Sequence, residues 1–331
     1  MMNVAEIFFS KTAAYRAVLR EKQAGKISHS YLLVSSDDDL SRAYLKALAK
    51  LIMCEKGGIC GDCRACRLIE KEAYADCDIY PAVGEKITAE GIDIIVSEKC
   101  YVKPLEADLK VFAICGAEKM NLPAQNKLLK TLEEPPKNVC ILLGAVGDHA
   151  LLPTVKSRVK RLEIPIFSPM ETFNVLKDYY PDEERLKKVC ALADGRVGAV
   201  EALYNDENAF SAVSECVDML LKIKKSPDIA RYSAIIAKKS REDLAKFIAA
   251  MRIVVRDLLF IKHGLSAQII NADMLPSLEM ISEKYKGGAL IAFSDVLNSA
   301  SAANENFSNQ TMLADRMLFA LLEENYRWQK L

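Results

Sequence analysis

The chain has 331 residues, 51% of them hydrophobic and 27% charged, with 14 Gly and 11 Pro, a globular composition that excludes collagen-like, low-complexity and disordered classes. Lys plus Arg equals Asp plus Glu, 45 against 45, so no net charge draws the chain to nucleic acid or an anionic membrane, and any such contact must come from a local patch. At roughly 150 residues per domain the length fits two or three compact units. The first residues, MMNVAEIFFSK, carry no basic segment followed by a sustained apolar one, and no run approaches the ~18 apolar residues that span a bilayer. The expectation is a cytoplasmic protein without membrane contact, its ten cysteines mostly reduced and buried.

In chain order, a short apolar run at Ser30 to Val34 predicts a strand, and Leu45, Leu48, Ala49 and Ile52 then recur at helical spacing. Further strands are predicted at Val111 to Cys115, Val139 to Leu143 and Arg161 to Ile166, with a helix between the first two whose Leu128, Leu129 and Leu132 share a face. This alternation predicts an α/β unit over residues 1–167, a mostly parallel sheet with helices on both sides. Beyond Ile166 the strand-like runs vanish. Leu186, Val189, Cys190 and Leu192 end at the Asp194-Gly195 stop, Val200 to Leu203 start another short helix, and together they predict a small helical unit over 168–208. Cys216 to Ile223, Leu244 to Ile261 and Met312 to Glu324 predict an all-α bundle over 209–331. Phe247, Met251, Val254 and Leu258 form a long apolar face there, read either as core or as a contact with other subunits. Lys222, Lys224 and Lys225 read as a solvated helix face that would touch DNA only if it lined a channel, and His29, His149 and His263 read as packing or surface residues.

Four of the cysteines, Cys54, Cys60, Cys63 and Cys66, fall within 13 residues directly after the first predicted α/β helix, among Gly57, Gly58 and Gly61. Four thiolates so spaced suit a closed tetrahedral zinc site with no open position for catalysis, with Cys77 as the spare fourth ligand. An iron–sulfur cluster would want a further Cys followed by Pro soon after Cys66, where the chain reads Arg67-Leu68-Ile69-Glu70.

Three segments together resemble one family, the bacterial DNA polymerase III clamp-loader subunits. They are Gly25-Lys26-Ile27-Ser28-His29-Ser30-Tyr31-Leu32-Leu33; Glu118 to Asn121 with Asn126 to Pro136, which contains Thr131-Leu132-Glu133-Glu134-Pro135-Pro136; and Leu151 to Arg158, ending in Ser157-Arg158. The resemblance spans about Gly25 to Ile164, with a weaker echo at Arg256-Asp257-Leu258-Leu259. It implies an AAA+ module with a four-cysteine zinc insertion, a small helical lid and a C-terminal helical collar that oligomerises.

A phosphate loop of this kind needs glycines, a Lys and a Ser or Thr so that backbone N–H groups and charge can meet a polyphosphate. Matched to the family, Ser35, Asp38 and Leu40 stand where it has glycines, Ser41 stands where it has the lysine, and Asp37, Asp38 and Asp39 bring charge of the wrong sign. After Val111 to Ile114, Cys115-Gly116 replaces the carboxylates that would hold Mg²⁺ and activate water. No Gly-x-x-x-x-Gly-Lys-Ser/Thr occurs anywhere in the chain. The pattern is similar to the delta-prime branch, which lacks working ATPase motifs yet retains the Ser-Arg motif. The resemblance thus implies no ATP binding, Arg158 as an arginine finger acting in trans and Ser157 positioning it. It also implies gamma/tau and delta partners and, through the complex, the sliding clamp and primer-template DNA. An ATP-hydrolysing gamma/tau-type motor is the alternative.

Overall fold

The computed structural model describes residues 3–223, 226–305 and 309–329, which form two compact units: residues up to Ser168 with Gly195–Ala199, and Pro169–Asp194 with Val200 onward. Lys224 and Lys225 lie outside the described residues, whereas Lys222 is exposed and pairs with Asp218 one helical turn earlier, at 3.5 Å.

The first unit is built on five strands, β1 (Ser30–Ser35), β2 (Cys77–Tyr80), β3 (Lys110–Cys115), β4 (Val139–Ala145) and β5 (Lys160–Ile164), in the order β2-β3-β4-β1-β5. Every pairing is parallel; β1 pairs with β4 through Leu32↔Leu143 and with β5 through Leu33↔Leu162. The last strand stops short of the predicted Ile166 because Pro165 has no N–H to give the ladder. Among the described residues seven α-helices accompany the sheet: α1 (Val4–Ser10), α2 (Ala13–Gln23), α3 (Asp38–Met53), α4 (Arg64–Glu70), α5 (Ala89–Ser97), α6 (Leu122–Glu133) and the short α7 (Pro153–Lys156).

Alternation along the strands divides their side chains between two faces. Leu32, Val34, Phe112, Ile114, Ile141 and Leu143 share a core with Ile92 and Ile95 of α5 and with Leu128 and Leu132 of α6. Gly144, one residue on from Leu143, faces α3: a Cβ built there would stand 3.1 Å from Leu45, so the missing side chain lets the helix seat on the sheet. The helix starts that periodicity alone misses are set by caps. Asn3 forms a capping box with Glu6, and the Thr12 hydroxyl accepts from Tyr15 N–H at 3.0 Å.

The second unit is helical: α8 (Pro169–Leu176), α9 (Glu183–Ala193), α10 (Ala199–Asn205), α11 (Ser211–Lys222), α12 (Ser226–Ile236), α13 (Arg241–Lys262), α14 (Leu275–Lys284), α15 (Gly287–Glu305) and α16 (Gln310–Gln329). Asp194 ends α9 in the left-handed region at φ 47°, followed by Gly195 at φ 87°, as the stop signal predicts. The central helix is α13, packed against α9, α11, α14 and α15. Its Phe247, Met251, Val254 and Leu258 are at most 1% exposed, so the face read as a candidate contact with other subunits is consumed by the chain's own core. Asp257 of the weaker motif is wholly buried and accepts from Ile270 N–H at 3.0 Å and from Asn271 N–H and Nδ2 at 2.9 Å, pinning the loop that follows α13. Among the described residues no helix is long and apolar enough to cross a membrane.

Candidate functional site

Helix α3 carries two of the features singled out in the sequence, one at each end; its 16 residues at about 1.5 Å each hold those ends some 24 Å apart. At its N-terminus, a cleft of about 610 Å³ opens at the C-terminal edges of β2 and β3. It is lined by Asp38, Ser41 and Arg42, by residues 81–87, and by Cys115, Gly116 and Lys119. Ligand crevices of open parallel sheets lie at such edges. Here the chain's own groups fill the polar roles. Arg42, at the position after Ser41, places Nε and Nη2 on the Glu72 carboxylate and donates from Nη1 to the Pro81 carbonyl at 2.7 Å. Asp37 is buried, and its Oδ2 accepts from Gly198 N–H at 2.9 Å. Burial pushes the Asp37 carboxyl up and Asp39 adds to this, while the Gly198 N–H and Arg196 oppose it. Only glycine permits that approach: a Cβ on Gly198 would stand 2.7 Å from the Asp39 Cβ and 3.2 Å from Asp37 Oδ1.

At the other end, α3 stops at Met53 and Cys54 turns into extended backbone. The loop wraps through Gly57 (φ 82°) and Gly61 (φ 75°), left-handed conformations that side chains disfavour, and Cys63 then caps α4. Backbone N–H groups point at sulfur: Cys63 N–H at the Cys60 Sγ, 3.3 Å, and Cys66 N–H at the Cys63 Sγ, 3.4 Å. The Sγ atoms of Cys54, Cys60, Cys63 and Cys66 all lie within 4.8 Å of one another, with Cys60–Cys66 and Cys54–Cys63 both at 3.9 Å. Metal–sulfur bonds of about 2.3 Å in a tetrahedron require S–S edges near 3.8 Å, so the four thiolates fit a metal ion and leave no open coordination position. Burial raises the Cys54 thiol, but N–H groups of Cys60, Lys56 and Gly58 outweigh it and bring it to about 7. Cys77 is outside the cluster; it opens β2 opposite Val111, and burial pushes its thiol up to about 12.

Helix α4 is bolted to α3 by charge. Lys50, 3% exposed, pairs with Glu6 and with Glu70, each at 2.5 Å, and Lys46 Nζ donates to the Glu70 carbonyl at 2.9 Å. The loop at 105–107 is tied down by the fully buried Asp76, whose carboxylate accepts from Leu105, Glu106 and Ala107 N–H at 2.7, 2.7 and 2.8 Å.

The third feature stands elsewhere in the first unit. Ser157 ends α7, and Arg158 is turned back so that Nη1 donates to the Thr154 carbonyl at 2.9 Å and to Ser157 Oγ at 3.2 Å. Its Nη2 reaches Glu133 at 2.7 Å, which joins the Ser-Arg and Thr-Leu-Glu-Glu-Pro-Pro motifs directly. The side chain stays one third exposed, facing an open hollow shared with His29 and Leu132. Of the neighbouring cations, Lys160 is compensated by Glu21 and Arg161 by Asp148 and Glu163. Sequence reasoning missed Arg42–Glu72, Asp37–Gly198 and Asp76; each joins residues about 30 or more positions apart and leaves no local pattern.

The family described as DNA polymerase III, delta subunit, matches residues 10–168. The delta' subunit of Pseudomonas aeruginosa is 31% identical over 204 residues, covering 59% of this chain and 62% of that protein. The delta' subunit of Bacillus subtilis is 27% identical over 263 residues, covering 77% of this chain and 78% of that protein. The tau subunit of Bacillus subtilis is 25% identical over 305 residues, covering 83% of this chain and 54% of tau. The chain therefore spans less than two thirds of the length of the Pseudomonas delta' and of tau. The parallel sheet, its motifs and these matches make the chain similar to bacterial DNA polymerase III clamp-loader subunits, delta' subunits among them.

Proposed function

We propose that the chain is a non-hydrolysing, delta'-type subunit of the DNA polymerase III clamp loader that helps place the sliding clamp on primed DNA. The observation that carries this reading is the loop after β1, where Asp37 is turned onto Gly198 and Arg42 is occupied by Glu72, so that this loop brings neither a lysine nor a glycine cradle to the cleft. The partners are the gamma/tau ATPase and delta subunits, and the reaction takes place in the cytoplasm. Residues 168–208 act as the lid and 209–331 as the oligomerising collar. Cys54, Cys60, Cys63 and Cys66 hold a structural zinc ion, the metal for which four thiolates in a closed tetrahedron are the usual set.

Arg158 serves the ATP site of the next subunit, with Ser157 positioning it. An always-charged planar fork meets phosphate oxygens as negative charge develops, and the Thr154 carbonyl and Ser157 Oγ hold the fork while part of it stays open to solvent. Its pair with Glu133 is half-exposed and is worth at most about 1 kcal/mol, so Arg158→Ala should fold and assemble. In the reconstituted loader Arg158→Ala should cut ATP turnover at the adjacent site by ~10³-fold or more, with Lys160→Ala as control. Unchanged turnover with only a loss of DNA affinity refutes the finger.

The likeness to tau keeps the alternative of a motor subunit in view. Equilibrium titration of the isolated chain with labelled ATP separates the two: the delta' reading expects no binding, and micromolar binding lost in Ser41→Ala would overturn it.

A further inference from the structure

We propose that Lys22, on the last turn of α2, supplies the positive charge that completes the four-cysteine metal centre and tightens its hold on the ion; this rests on the zinc reading above. Four thiolates bring four negative charges and a divalent ion returns two, so the closed centre carries excess negative charge inside a partly dry pocket, where uncompensated charge is costly. Something nearby has to balance it.

The cations contributed by the loop and by α4 are already committed. Lys56 pairs with Asp62 at 2.7 Å, Arg64 with Glu106 at 2.8 Å, and Arg67 donates to the Asp62 carbonyl. Lys22 differs from Lys56 and Arg64 in meeting no carboxylate, and from Arg67 in meeting the carbonyl of a ligand cysteine. Its Nζ donates to the Leu51 carbonyl at 2.9 Å and to the carbonyl of Cys54, itself one of the four ligands, and among the described residues it takes no carboxylate partner. The side chain is partly buried, and its ammonium lies within electrostatic reach of all four cysteines; burial lowers its pKa and each thiol opposes that. Helix α2 is also the wall of the module at a second point: a Cβ on Gly58 would stand 3.3 Å from the Tyr15 hydroxyl. A helix that precedes β1, outside the cysteine segment, thus presents one lysine whose charge has only the thiols to answer it.

Lys22 also satisfies carbonyls at the C-terminal end of α3, where helices leave them unpaired. A neutral donor would serve that purpose as well as a charged one, and the variants are chosen on this difference. Lys22→Met removes donor and charge, Lys22→Gln keeps an N–H donor without charge, and Lys22→Arg keeps both.

The test uses the full chain, purified anaerobically, with zinc alone as the probe in competition with a chromophoric chelator. Cobalt replaces zinc in parallel, to read the sulfur-to-metal charge-transfer band. Partners that act on a metal through its ligands typically change affinity by 10–100-fold. The expected result is at least tenfold weaker zinc binding in Lys22→Met and Lys22→Gln at low salt, a shifted cobalt band in both, and near-native behaviour in Lys22→Arg. The gap should narrow near 1 M salt, where the screening length falls to about 3 Å. Lys22→Gln that binds zinc as tightly as the native chain overturns the proposal and leaves Lys22 a helix cap, and an equal loss in Lys22→Gln and Lys22→Arg does the same. Should Lys22→Met fail to fold, the comparison of Gln with Arg decides. A native chain that takes up no zinc refutes the metal reading itself, an outcome distinct from a native chain that binds zinc without regard to residue 22.

Discussion

Lys50→Met tests how far the buried Lys50–Glu6 pair, rather than the wet pair with Glu70, holds α1 against α3. Lys50 and Glu6 have side chains 4% and 3% exposed, whereas Glu70 is 44% exposed and can be solvated on its own. Removing the ammonium therefore strands one buried carboxylate. Glu6 would keep only the Asn3 N–H at 3.1 Å, and the cost of breaking such a pair from one side is about 3–5 kcal/mol. Glu70 adds at most about 1 kcal/mol because it remains wet. The double variant Glu6→Gln/Lys50→Met removes the stranded charge and keeps the capping box, since Gln serves at that position, and should recover to within about 1 kcal/mol of the native chain. Hydrogen exchange read by mass spectrometry at α1, α3 and α4 is the assay, because opening there is local and needs no two-state assumption for the whole chain. At about 1.4 kcal/mol per decade, Lys50→Met should exchange the amides of α1 and α3 roughly a hundredfold faster or more. Acceleration below tenfold, or a double variant no slower than the single, refutes the reasoning. Neutral pH is required: burial raises the Glu70 carboxyl, but Lys50 and Lys46 outweigh it and hold it below its usual 4.5. Its contribution is thus full above that value and fades as the pH falls through the lower native one.

Elemental analysis should find one zinc per chain, lost in Cys54→Ser and retained in Cys77→Ser; the reverse pattern would move the fourth ligand from Cys54 to Cys77. Asp76→Asn should loosen residues 105–107 by about 1.5–3 kcal/mol, read as faster exchange of those amides, because a charged acceptor of three N–H groups becomes a neutral one. In the native chain the same segment should loosen in acid: burial raises the Asp76 carboxyl, yet the N–H groups of Glu106, Leu105 and Ala107 hold it below 3.8, so its stabilisation is complete above that value and lost as the pH falls through the depressed native one. Exchange at 105–107 independent of acid pH would refute that assignment.

Local patterns made much of this legible. The β1, β3 and β4 runs are apolar and β-branched enough to read directly, and the spacing from Cys54 to Cys66 foretold a cluster that the fold closes to within 4.8 Å. By contrast β2 escaped notice because Cys77-Asp78-Ile79-Tyr80 is four residues long, lies at a sheet edge and is only part-buried beyond its first residue. Helices α1 and α2 announce themselves by the caps Asn3 and Thr12 more than by an apolar stripe. In α13, periodicity identified the apolar face correctly but could not say what would cover it; the chain's own helices do. The polar contacts around the cleft were invisible for a different reason, since Arg42 finds Glu72 and Asp37 finds Gly198 only once the sheet has brought distant segments together.

The contact between Asp37 and Gly198 makes the loop after β1 a receptor that carries its own anion. A tethered group competes at an effective concentration in the millimolar range or above, without needing to be supplied. A phosphate that sought the Gly198 N–H would have to displace that carboxylate and also approach Asp38 and Asp39 beside it. Putting a lysine at position 41 would add attraction without vacating the seat. On the non-hydrolysing reading proposed above, converting this loop into a nucleotide cradle would require at least two changes, one to supply charge and one to remove the resident carboxylate.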